Sequence, residues 1–285
     1  MNLFPPWHLP PGNGRQFTVP EVDNVPDLHG DIVDPQLVIF FNGNQFMVTH
    51  DLIAAFQETF PEYERIYWET LPPGVLVDQI REGALVVGNL RIAVRPDIFT
   101  AGTARIGQLD RECGWFSRME PYAKNQLGIM VHADNPLGIA GLPDLGRKEV
   151  RVSMPDPRTE GIGRLIVQAY KKAGGEPLVD AVMKEKVGNG STSLTDIHHR
   201  QTPMRIMAGQ SDAGAVWRTE ALFQERIDNP IEIVEIPPDW NQTGTYVAAR
   251  LKHVPHPRAA DDFLDFLIGP EGQKIYRDYG FLPTT

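Results

Sequence analysis

A single cysteine, Cys113, stands among 285 residues, so the chain can form no internal disulfide and no cysteine-based zinc site. Long apolar runs are missing as well. None approaches the roughly 20 residues that a membrane-crossing helix needs, and the run Leu37–Phe41 is strand-sized. No block of Lys or Arg occurs, and 27 basic residues face 37 acidic ones for a net charge of −10. A nucleic-acid partner does not fit, because phosphates call for a basic face. Residues 1–11 read MNLFPPWHLPP, without a basic n-region, an apolar h-region or a small-residue cleavage site. An export signal already removed and a cytosolic protein both fit that start. Chemical signatures are lacking too: there is no nucleophile elbow, no P-loop, no GxGxxG after a strand and no HExxH. The expectation is a protein that is not an enzyme and holds neither cofactor nor metal.

What is present is enough apolar material, 41% with 9% aromatic, to build real cores. At this length one core gives way to two lobes or domains. Residues 1–35, rich in Pro, Gly, Asn and Asp and without periodicity, suggest an irregular arm. Strands and helices then alternate, which predicts α/β lobes with largely parallel sheets. Leu37–Phe41 is a strand covered on both faces, followed by an Asn42–Gln45 turn and a helix carrying Leu52, Ile53, Phe56 and Phe60. Further strands are expected near 64–69, 96–102, 127–131, 150–154, 213–217, 231–236 and 246–251. Helices are expected near 75–80, 103–113, 159–173 (ended by Gly174-Gly175), 195–208 (interrupted by Pro203) and across the last 25 residues.

Several of these segments, taken in order, resemble the molybdate-type branch of periplasmic solute-binding proteins. They are Leu37-Val38-Ile39-Phe40 with its helix; Gly74 to Ile80 and Pro96-Asp97-Ile98-Phe99; Tyr122-Ala123-Lys124-Asn125, Asp134-Asn135-Pro136 and Leu142 to Leu145; Ala208 to Trp217; and Phe263 to Phe281. The resemblance covers about residues 36 to 285. It implies a type II periplasmic-binding-protein fold: two lobes, a hinge and an interlobe cleft. Lobe I would comprise 36–118 and 235–285, and lobe II 119–234. It also implies a monomer that binds a small oxyanion or organic anion, delivers it to an ABC permease, inserts into no membrane and works in the periplasm. A cytosolic ligand sensor on the same fold is the alternative, and an enzyme on this scaffold a third.

Ligand contacts are expected where strands end and helices begin, because free backbone N–H groups there attract anions. Asn42, Asn44 and Gln45 follow the first strand and either donate to a ligand or simply turn the chain. Thr70 and Thr100 end two further strands. Near Thr70 the chain departs from the family's Gly-Ser-Gly loop: Pro72 and Pro73 offer no N–H, and Glu69 would repel an oxyanion if it pointed inward. Arg158, Thr159 and Gly161 open the long helix of the second lobe. Thr159 is placed to cap it, Gly161 to allow close backbone approach, and Arg158 to pair with a charged ligand or lie in solvent. Trp217 and Arg218 end a second-lobe strand, where Trp217 either covers the ligand or packs in the core. His198 and His199 are adjacent and so point apart on a helix, which argues against a shared metal; His50 and His132 are expected at the surface.

Overall fold

A computed structural model describes residues 27–87, 90–195 and 198–284. Most of the expected N-terminal arm lies outside these residues. Its end is not irregular: Leu28–Gly30 forms strand β1, antiparallel to β3 (Ile66–Leu71). Strand β2 (Leu37–Asn42) runs parallel to β3 and to β6 (Ile98–Gly102), and β12 (Thr243–Leu251) is antiparallel to β6. The continuous apolar run of β2 has the expected cause. Leu37, Ile39 and Phe41 face α1 (Phe46–Thr59), α8 (Pro257–Ile268) and α9 (Pro270–Asp278), while Val38 and Phe40 face α2 (Pro73–Glu82) and α3 (Thr103–Cys113). Between α2 and β6 a hairpin not anticipated from the sequence joins β4 (Leu85–Val87) to β5 (Leu90–Ile92). Pro73 occupies the first position of α2, where its missing N–H costs nothing.

Strand β7 (Phe116–His132) is far longer than the five residues expected from the sequence. Residues 116–126 pair with β12, and Leu127–Val131 pair with β10 (Ala213–Trp217), so one strand belongs to two sheets. The second sheet continues through β8 (Val152–Pro155) to β9 (Thr192–Thr195), both parallel to β10's direction. Its other edge is β11 (Ile231–Glu235), which pairs with residues 128–132 of β7 and so lies in the second sheet, not the first. The chain returns to the first sheet through residues 236–242. Helix α4 (Gly161–Asp180), a π-helical turn at Ala181–Glu185 and the single turn α5 (Lys186–Gly188) cover one face of this sheet. Helices α6 (His198–Met207) and α7 (Arg218–Arg226) cover the other, around Met130, Ile206, Val216 and Ala221. Among the described residues no helix is long and apolar enough to cross a membrane.

Pro121 explains why β7 is hard to see in the sequence. It cannot donate to the ladder, and the register with β12 shifts there, Tyr246 facing Ala123 but Val247 facing Pro121, with Tyr122 left as a bulge. The ladder also shows where the strand ends converge. Gly102 and Ala123 both pair with Tyr246, and Trp217 pairs with Leu127. The C-terminal ends of the parallel strands in both sheets therefore meet along four residues of β7.

Glu69 on β3 points away from that meeting line. It accepts hydrogen bonds from Tyr67 Oη at 2.8 Å and Gln79 Nε2 at 2.9 Å, beneath α2. Burial pushes its carboxyl up to about 7 despite those donors. The folded state thus holds this proton more tightly than the unfolded chain, so stability falls as pH rises from about 4.5 through 7. Glu69→Gln keeps the shape and removes the titration. Urea unfolding should find the variant more stable than the wild type above pH 7 by about 3 kcal/mol, the gap closing towards pH 4.5; a gap that does not vary with pH would contradict the assignment.

Candidate functional site

Where the two sheets converge, buried polar side chains form a seam. On the first-lobe side, the backbone N–H of Asn42 donates to Thr100 Oγ1 at 3.0 Å, and that hydroxyl donates to Asn42 Oδ1 at 2.8 Å. Asn42 Nδ2 donates to Asn44 Oδ1, and Asn44 Nδ2 donates to Tyr246 Oη at 2.5 Å. One network therefore ties the ends of β2, β6 and β12 together. Gln45 belongs to the same turn and is fully buried, yet neither side-chain atom has a protein partner. Thr70, also fully buried, meets His29 Nε2 at 3.3 Å, and His29 stacks on Trp68. Burial lowers the His29 imidazole to about 4, and nearby His50 adds to this, so His29 is neutral.

From the second lobe, α6 brings His198, His199 and Arg200, all buried. His199 stacks on Phe46 with ring centroids 5.6 Å apart, and its Cε1 would lie 2.5 Å from a Cβ at Gly43. Only glycine at 43 allows this approach. Burial, with the charge of His198, holds His199 well below the usual histidine range, and its Nε2 has no protein partner. Arg200 crosses the seam to an ion pair with Asp27. Trp217 closes the hinge end, edge-on to Tyr246 at 5.8 Å and against Gly244.

His198 is held between two carboxylates. Its Nδ1 contacts Glu160 Oε2 and its Nε2 meets Glu220 Oε1 at 3.0 Å. Burial alone would lower the imidazole, but the two carboxylates outweigh it and hold it up near 10, so His198 is an imidazolium. Burial pushes the Glu220 carboxyl up, against the pull of His198. Each carboxylate also accepts from a helix start: Glu160 Oε2 from the His198 N–H at 3.3 Å, and Glu220 Oε2 from the Trp217 N–H at 3.2 Å. Thr195 Oγ1 donates to Glu160 Oε1 at 3.1 Å. Among the described residues no group of His, Cys, Asp and Glu is arranged to hold a metal.

Asn42, Asn44, Gln45, Thr100 and Trp217 thus gather at one place, with Thr70 near Trp68 and His29. Arg158, Thr159, Gly161 and Arg218 do not join them. Arg158 is exposed and grips Asp156 through Nη2 at 2.6 Å, and Arg218 holds Glu235 through Nη2 at 2.7 Å. Thr159 is not the cap of α4. Its hydroxyl reaches the Asp156 carbonyl at 3.5 Å, and Glu160 occupies the capping position. Close backbone approach falls at Gly163, whose Cβ would meet the Pro155 carbonyl at 2.5 Å, while Gly161 has ordinary space.

Sequence reasoning missed Tyr246, Glu160, Glu220 and two asparagines at the hinge. Asn125 Nδ2 donates to Thr219 Oγ1 at 2.8 Å across the crossing. Asn241 brackets Leu127 with both ends of its amide, at 2.9 and 3.0 Å, as a neighbouring strand would. The one local signal was Glu220 three residues after Trp217, the spacing at which a carboxylate returns to a helix start.

The profile of the bacterial extracellular solute-binding protein family matches residues 37–282. A Bacillus subtilis (strain 168) protein named as an ABC transporter substrate-binding lipoprotein, YvgL, is 24% identical over 157 residues, which make up 55% of each chain. The matched stretch is therefore about half of that relative. The sulfate-binding protein SubI of Mycobacterium tuberculosis H37Rv superimposes with a TM-score of 0.69 at 19% identity, over 87% of this chain and 86% of its own. For the periplasmic molybdate-binding protein of Azotobacter vinelandii the TM-score is 0.68 at 16% identity, over 87% and 100%. At such low identity these structures speak for the shared two-lobed α/β fold alone. With the profile covering nearly every described element, the chain belongs to the bacterial extracellular solute-binding protein family.

Proposed function

We propose that this chain captures a small solute bearing an anionic group in the seam between its lobes and delivers it to an ABC permease outside the cytoplasm. It acts as a monomer and without catalysis. The lobes divide where β7 changes partners, at Gln126 and Leu127, and again within 236–242. The observation that carries this reading is the Gln45 amide: buried and unpartnered, in the turn whose Gly43 and Phe46 pack against His199, itself unpartnered at Nε2. Leaving such groups dry and unbonded costs about 1–3 kcal/mol each, a cost that a solute's own polar atoms would remove. The alignment with transporter components in other bacteria and the hinge-like geometry of β7 support the same reading.

A thermal-shift panel of inorganic oxyanions and organic acids tests it. A solute present at 100 times its dissociation constant should add about 2.7 kcal/mol of stability. Gln45→Leu should leave the empty protein at least as stable, since it deletes unsatisfied polar atoms, yet weaken the solute by about tenfold or more. No stabilisation by any small solute would overturn the proposal.

Closure has its own check. Gly43→Ala puts a methyl group where His199 sits, so the lobes should meet less fully and solute affinity fall. Adding His199→Ala should restore closure, seen as a return of the radius of gyration with bound solute to the wild-type value. A Gly43→Ala protein that closes normally would show that this contact is not part of closure.

A further inference from the structure

The seam's unmet hydrogen-bonding needs and its charges point to one kind of solute. On the second-lobe side, carboxylates of the protein itself already sit at the positive starts of α6 and α7, which would ordinarily attract an anion. Glu160 accepts from the first N–H of α6 and Glu220 from the Trp217 N–H that opens α7. Between them stands only one cation, His198, so the group of three carries more negative than positive charge. Glu220 accepts from the Trp217 N–H, and Trp217 packs edge-on against Tyr246 at 5.8 Å, which brings this charge near the Asn44–Tyr246 network.

A fully ionised tetrahedral oxyanion approaching from the first lobe would meet on the other side a group of two carboxylates around one imidazolium. Like charges set opposite each other at low dielectric cost several kcal/mol. Such an ion also carries no hydrogen to give. Gln45, however, presents both ends of its amide without a partner. Its N–H₂ can hold an anionic oxygen, but its carbonyl oxygen needs a donor, as does any carboxylate lone pair not already filled. The His199 ring, neutral and with Nε2 unpartnered, can serve as either donor or acceptor. The site therefore asks for a solute that both accepts and donates.

We propose that Glu160 and Glu220 determine specificity by excluding fully ionised inorganic oxyanions, and that the solute is an organic acid carrying a hydroxyl or ammonium group on the side facing the second lobe. This rests on solute capture at the seam and narrows it to a chemical class. The exclusion works through carboxylate charge at two helix starts, not through bulk. Repulsive elements of this kind discriminate as effectively as added attractive ones.

Calorimetry on the full chain tests it with matched probes. Sodium molybdate, tungstate and sulfate form one set; L-malate against succinate, and L-lactate and L-serine against propionate, form the other. In the wild type the donor-bearing member of a pair should bind about tenfold tighter or more than its partner, the worth of one well-made hydrogen bond to a charged group, and the inorganic ions should give no measurable heat. Glu160→Gln, alone and with Glu220→Gln, should admit molybdate, tungstate or sulfate while reducing the preference within each pair. Wild-type protein that binds an inorganic oxyanion as tightly as any acid would overturn this proposal yet leave solute capture standing. Absence of binding by every probe of both sets would count against capture itself. The wild-type comparison needs no variant, so it decides the question even if the doubly substituted chain folds poorly.

Discussion

Strand β7 passes from one sheet into the other without ending, changing partners between Gln126 and Leu127. A backbone ladder cannot slide without losing its bonds, so this continuity fixes how the two lobes can lie. The Gly102–Tyr246–Ala123 pairing sets the ends of the first-lobe strands, and the Trp217–Leu127 pairing sets those of the second, four residues further along the same chain. Everything at the seam follows. Helix α1 starts where β2 ends and α7 where β10 ends, so their starts face each other. Asn125 and Asn241 add side-chain bonds at the crossing, leaving the two strands there bound but few. A narrow, well-bonded connection of this kind lets two packed bodies rotate while each stays rigid.

The seam also concentrates buried charge, which is costly unless paired. His198, Glu160 and Glu220 pair among themselves, and Arg200 of the second lobe pairs with Asp27 of the first. The first set stays within the second lobe and is indifferent to closure. The Arg200–Asp27 pair joins the two lobes. Against these paired charges, the Gln45 amide and His199 Nε2 are among the buried polar atoms of the described residues that have no hydrogen-bond partner within the protein.

Much of the fold was legible in the sequence because burial on both faces leaves an unbroken apolar run. β2 and β10 were both visible for that reason, and Gly174-Gly175 marked the point where helical backbone breaks at Gly175 within α4, whereas Pro73, read as part of a loop, opens α2. β7 was not, since Ser117, Arg118, Glu120 and Lys124 interrupt the first half with solvent-facing positions and Pro121 breaks its ladder. At the site, Asn42, Asn44, Gln45, Thr100 and Trp217 could be picked out because strand ends and helix starts are local features. The fate of a long side chain is not local. Arg158 and Arg218 were candidates by position, but Asp156 and Glu235 were within reach and took them. His198 meets carboxylates 38 and 22 residues away, pairings that no local pattern carries.

Rotation of the two lobes about β7 is the claim on which the rest depends, and an interlobe distance reports it directly. Cys113 is exposed on α3 of the first lobe and offers a native label site. A second label on α4 of the second lobe, at Lys171→Cys, allows pulsed electron resonance between them. Two exchanging distances should be found in the empty protein, with the shorter alone remaining once the most stabilising acid of the panel is saturating. A single distance that stays unchanged with and without that acid would contradict the account.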